Sequence, residues 1–148
     1  MRTKLMILIA SVILPLTLLT ACNSGKKNNV EQFEEKAFYS GGLKYETLVK
    51  LSINSKGEVT GTVTANEYGM EGEPISFTGT LSNGEINVKF NSDPPVVGAA
   101  SEWTNMPWRI EERDGKDVLI ITFYAMDYET EEWGNSEYEF EEVNEQVN

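Results

Sequence analysis

The stretch "ISFTGTLSNGEINVKF", residues 75–90, decides how this chain folds. Ile75, Phe77, Gly79 and Leu81 alternate with hydroxylated residues, and Ile86, Val88 and Phe90 alternate with polar ones. A period of two places each set on one face of an extended strand. Between the runs stands Ser82-Asn83-Gly84-Glu85. Asn followed by Gly tolerates the two successive positive φ angles of a type I′ turn, whose twist matches that of paired strands. The stretch therefore reads as an antiparallel hairpin with an apolar inner face.

The same pattern extends in both directions. Upstream, "YETLVKLSI" places Tyr45, Thr47, Val49, Leu51 and Ile53 on one side, with Glu46, Lys50 and Ser52 on the other. The turn-forming "NSKGE" follows, and then "VTGTVTA", where Val59, Gly61, Val63 and Ala65 alternate with threonines. Downstream, "PWRIEE" offers Trp108 and Ile110, and "DGK" at 114–116 makes another tight turn. "VLIITFYAM" is apolar nearly throughout, which suits a central strand or one covered on both faces. "SEYEFEEV" alternates Tyr138 and Phe140 with glutamates and reads as a closing strand. With a short first strand around Ala37–Ser40, the count is about eight.

Beyond the first residues no amphipathic helical pattern is sustained, so crossover helices are not expected. The reading is an all-β domain of about eight antiparallel strands in a meander, closed into a barrel or stacked as a β-sandwich. This strand layout resembles the small lipocalin-like barrels found in several bacterial lipoproteins. Gly61 and Gly79 fall on inward faces, where they either permit the bend of a barrel wall or make room for an aromatic ring.

The amino-terminal segment has a different character. Arg2 and Lys4 precede an uncharged apolar run from Leu5 to Leu19, which is short for a membrane span and interrupted by Pro15. It ends in Leu19-Thr20-Ala21-Cys22, and Cys22 is the only cysteine. These four residues resemble the bacterial lipobox. That resemblance implies cleavage before Cys22 and a diacylglycerol on its thiol, with further acylation at the new amino terminus to hold the chain firmly. An intrachain disulfide is excluded. The expected organisation is a lipoprotein signal peptide over 1–21, a flexible tether over 22–35, and a single domain over 36–148. Localisation at a bacterial membrane follows. By the same resemblance, Asn23 in place of the Asp that retains many enteric lipoproteins at the inner membrane implies the outer membrane in a Gram-negative cell. In a Gram-positive cell the site is the outer face of the cell membrane.

Charge narrows the partners. The chain carries 24 acidic and 12 basic residues and a net charge of −12. Removing 1–21 takes away Arg2 and Lys4 and no acid, which leaves −14. Such a surface repels phosphate backbones, so nucleic acid is excluded as a partner, and it attracts basic proteins.

Catalytic chemistry finds little footing. The chain has no histidine, which removes Ser-His-Asp triads, histidine zinc sites and the usual general base near neutral pH. No phosphate loop or dinucleotide motif occurs. Asp127, Glu129 and Glu131 have the spacing of calcium ligands, but Glu132 and Tyr138 stand where an EF-hand requires Gly and Glu. No enzyme, cofactor or metal site is expected. The longest irregular stretch, residues 91–108, contains three prolines and the apolar Trp103, Met106 and Trp108. Together with Trp133 in the acidic hairpin these form the candidate ligand or partner surface. Two functions follow: a non-catalytic binding module, for which a basic protein is the natural partner, or a carrier of a small apolar ligand.

Overall fold

A computed structural model describes residues 32–42, 44–98 and 101–144. The signal segment, Cys22 and the tether up to residue 31 lie outside the described residues. The described chain is all strand and turn, with no helix. The strands are β1 (Phe33–Gly41), β2 (Tyr45–Ile53), β3 (Glu58–Glu67), β4 (Ile75–Ser82), β5 (Glu85–Phe90), β6 (Ser101–Trp103), β7 (Trp108–Arg113), β8 (Lys116–Met126) and β9 (Trp133–Val143).

Every strand pairing among the described residues is antiparallel, and the sheet runs β8-β7-β5-β4-β3-β2-β1-β9 before returning to β8. That return closes an eight-stranded up-and-down barrel and excludes a sandwich. The ninth strand, β6, lies on the same edge of β8 as β7. Trp103 pairs with Phe123 and Arg109 with Ile120. Six steps along one side, 103 to 109, thus answer three along the other, 123 to 120. β6 and β7 are one strand broken by a bulge that contains Met106 and Pro107, where proline cannot donate to a ladder.

Turn chemistry sets the register as expected. Asn83 and Gly84 have φ of 55° and 82°, and Asp114 and Gly115 have 53° and 77°. Each pair forms a two-residue connection between strands paired in register, Ser82 with Glu85 and Arg113 with Lys116. In the β2–β3 link, Asn54 Oδ1 accepts from the backbone N–H groups of Lys56 and Glu58, and Gly57 takes a φ of 76°.

The alternation delivers the core. Thr47, Val49, Leu51 and Ile53 point inward and are buried, as are Val59, Val63, Phe77, Ile86, Leu119, Ile121 and Phe140. Gly61 makes room for an aromatic ring: a Cβ there would lie 2.5 Å from Phe77. At Gly79 it would lie 2.5 Å from the carbonyl oxygen of Asn87, so this glycine permits close approach of β5. Of the two explanations for inward glycines, room for a ring holds at Gly61, whereas Gly79 makes way for the neighbouring backbone.

β8 is buried on both faces. Leu119, Ile121 and Phe123 face inward, while Val118, Ile120 and Thr122 face outward and are still buried. The outer cover comes from charge. Arg109 of β7 binds Glu137 of β9 and Glu111, and Arg113 binds Glu111 and Glu139. These pairs bridge over β8, where long side chains shield the apolar residues beneath their charged ends.

Two expectations need adjustment. The first strand begins at Phe33, inside the stretch assigned to the tether, and Lys36 on it bonds Asp117 at 2.6 Å. The irregular segment before β7 includes a short strand, β6.

Candidate functional site

The far ends of the hairpins gather at two poles. At one lie the β2–β3, β4–β5 and β7–β8 turns. At the other, the mouth, lie the β1–β2 link, the β3–β4 link and the β8–β9 link. A cavity of about 340 Å³ opens at the mouth, between Ser40 and Thr47 on one wall and Tyr138 and Phe140 on another, with Tyr45, Val97, Met126 and Tyr128 around it. Its lining contains hydroxyl groups and aromatic rings but no charged side chain. Tyr138 occupies an inward-facing strand position yet is 37% exposed, because the cavity stands open beside it. Its ring meets Phe123 edge to face at 5.2 Å. Tyr45 and Tyr68 hydrogen-bond at the rim, and this bond raises the Tyr45 hydroxyl above its ordinary pKa. Below the cavity the interior is filled by side chains.

Outside the wall, beside the mouth, a second surface forms. Tyr124 of β8 and Trp133 of β9 stack with centroids 5.6 Å apart. Asn135 Nδ2 donates to Met106 Sδ at 3.7 Å, which brings the β6–β7 bulge onto the same face. Tyr124, Trp133 and Met106 are each about half exposed. Acid surrounds them: Glu102 pairs with Tyr124 in the ladder, and Glu131 and Glu132 precede Trp133.

The expected site residues therefore separate. Met106 and Trp133 belong to this outer surface. Trp108 does not: it is 2% exposed and packs against Phe77 at 5.1 Å inside the barrel. As the first residue of β7 it takes an inward position, so it cannot meet a partner. Trp103 is half-buried against Phe90 and Phe123, at 4.9 and 4.7 Å, and its Nε1–H donates to the Pro95 carbonyl at 2.6 Å. It pins the segment after β5 across a wall where β5 and β7 share only two residue pairs. Asp127 turns its carboxylate to the backbone, accepting from the N–H groups of Glu129 and Thr130. Tyr45, Tyr124, Tyr128 and Tyr138 join the site without having been singled out. Alternation places Tyr138 on the inner face, but the local pattern does not encode its height along the barrel.

No protein-family model, curated protein or solved structure matches this chain.

Proposed function

We propose that this protein is a non-catalytic binding module, tethered to a bacterial envelope by lipid on Cys22, that takes a cationic protein partner. The observation that carries the reading is the Tyr124–Trp133 stack with Met106, half exposed on one outer face and rimmed by Glu102, Glu131 and Glu132. Exposed aromatic rings beside carboxylates suit the aliphatic stem and charged end of Lys or Arg. The net charge of −12 adds long-range attraction for the same partner. The lipobox-like Leu19-Thr20-Ala21-Cys22 supports the tether, and with it the outer membrane of a Gram-negative cell or the outer face of a Gram-positive one.

Capture on a basic protein column across a salt series tests the partner. Binding that weakens steeply with salt and is lost in Trp133→Ala supports it; equal retention of the variant counts against it. Intact mass and detergent partitioning, beside Cys22→Ser, test the tether. A diacylglycerol adduct present only in the parent chain is the expected result.

A second reading, a small neutral ligand at the mouth, is favoured by the uncharged cavity of about 340 Å³. Carriage deep within the barrel is disfavoured, since the core fills it. The neutral dye N-phenyl-1-naphthylamine separates the readings. Fluorescence enhancement that is lost in Ser40→Trp, which fills the cavity, speaks for the mouth ligand.

A further inference from the structure

Barrel closure leaves one part of the wall unpaired. β9 pairs with β8 from Trp133 to Glu141, nine of its eleven residues. On its other edge it meets β1 only at Glu141, Glu142 and Val143, opposite Tyr39, Phe38 and Ala37. Among the described residues no strand pairs with that edge from Trp133 to Phe140. Residues 133–139 are exposed or half-exposed there. An open strand edge presents backbone N–H and C=O groups in a row, a template for another extended chain.

What flanks this edge bears on what could occupy it. The mouth cavity lies directly inside, against Tyr138 and Phe140 on β9 and Ser40 on β1. A Cβ at Gly134 or at Gly42 would meet nothing within 4 Å, so there is open space on both sides of the gap. On the outer face stand Glu137 and Glu139, each more than half exposed. They share two arginines with Glu111, which leaves three carboxylates for two guanidinium groups.

We propose that the free edge of β9, Trp133–Glu139, accepts an extended segment of a cationic partner as an added strand. Alternate residues of that segment would be apolar and enter the mouth cavity; those between would be Lys or Arg and face Glu137 and Glu139. Main-chain hydrogen bonds would hold the segment, and alternate side chains would select it. The proposal rests on the cationic-partner reading and adds to it the mode of contact. The competing account of Glu137 and Glu139 is protective, because charge on an edge strand discourages pairing.

The test uses the full-length chain in non-ionic detergent and three synthetic peptides, of which the first two are acetyl-Lys-Val-Lys-Val-Lys-Val-amide and the same peptide N-methylated at its valines. The methylated form keeps charge and side chains but lacks alternate backbone donors. A third form, methylated at its lysines, covers the opposite strand register. The expected result is binding of the parent peptide and a loss of about tenfold or more in one methylated form, as when one or two hydrogen bonds go unmade. Hydrogen exchange should slow at alternate amides of residues 133–139.

Equal, salt-sensitive binding of all three peptides would overturn strand addition while leaving the cationic-partner reading intact. Absence of binding by any peptide would overturn the proposal. If column capture of a basic protein survives in that case, the broader reading survives with it. A concentration-dependent dimer that protects the same amides without peptide would assign the edge to a second copy of the chain and overturn it also.

Discussion

Arg109 reaches over strand β8 to Glu137, its Nη1 and Nη2 each donating to a different carboxylate oxygen at 2.7 Å. Ile120, beneath this bridge, is buried although it faces outward. The pair thus does two things: it links β7 to β9, and it roofs an apolar strand. Glu137 and Glu111 raise the Arg109 pKa still further through their hydrogen bonds.

Arg109→Ala should lower stability by about 1 kcal/mol, the upper end for a partly exposed ion pair, with lost cover over Ile120 contributing. Arg109→Lys keeps the charge but lacks the planar fork, so it should fall between the two. Urea unfolding at neutral pH gives both values. A midpoint for Lys equal to that of Ala would show that geometry rather than charge carries the bridge.

The same network makes stability depend on acid. Hydrogen bonds from Arg109 hold the Glu137 carboxyl below its ordinary pKa of 4.5, and bonds from Arg109 and then Arg113 do the same to Glu111. A depressed carboxyl contributes stability that is present above 4.5 and lost as pH falls through the folded-state value. Thermal unfolding should therefore shift down as pH drops below about 4.5. In Arg109→Ala that part of the slope should flatten. An unchanged slope would assign the acid sensitivity to other carboxyls.

Trp108 and Trp133 should respond oppositely. Trp108→Ala opens a cavity against Phe77 and should cost roughly 3–5 kcal/mol. Trp133→Ala, at a half-exposed position, should leave the unfolding midpoint within about 1 kcal/mol of the parent and remove partner binding. Column capture and urea titration, run on the same two variants, check both halves.

Two glycines separate backbone strain from steric conflict. At Gly115 a Cβ meets nothing within 4 Å, but φ is 77°, so Gly115→Ala should cost about 1–2 kcal/mol from conformation alone. Gly61 has no such φ, and there Ala collides with the Phe77 ring and the Lys50 carbonyl. Gly61→Ala should be destabilising by roughly 1–3 kcal/mol. Phe77→Leu should be less costly in the Gly61→Ala background than alone. A double-mutant cycle measures that coupling, and simple additivity would show that the ring is not the obstacle.

Much of the barrel can be read locally. Alternation in residues 45–53 and 75–90 specifies inner faces, and Asn83-Gly84 and Asp114-Gly115 specify where strands reverse. The apolar run 118–126 announces a strand covered on both faces, though not that Arg109 and Glu137 supply the outer cover. What local pattern does not carry is contact between distant segments. Trp103 and Trp108 look like loop aromatics beside three prolines. Their burial comes from Phe77, Phe90 and Phe123, far along the chain. The start of β1 is hidden for a related reason: "FEEKAF" lacks clean alternation, and Lys36 is settled by Asp117 and Glu142 across the barrel seam. The mouth cavity and the open β9 edge depend on where two strands cease to pair, which no short window of residues encodes.

The seam between β1 and β9 joins Ala37 to Val143, on the first and last of the described strands. A chain delivered progressively from its amino terminus would hold an unclosed sheet, with β1 and β8 each lacking a neighbour, until the final strand arrived. Closure is thus the latest and most non-local step, since the loop it completes spans almost the whole domain. A chain cut short before residue 133 would have no way to seal itself, and its two raw edges would be free to find each other in neighbouring molecules.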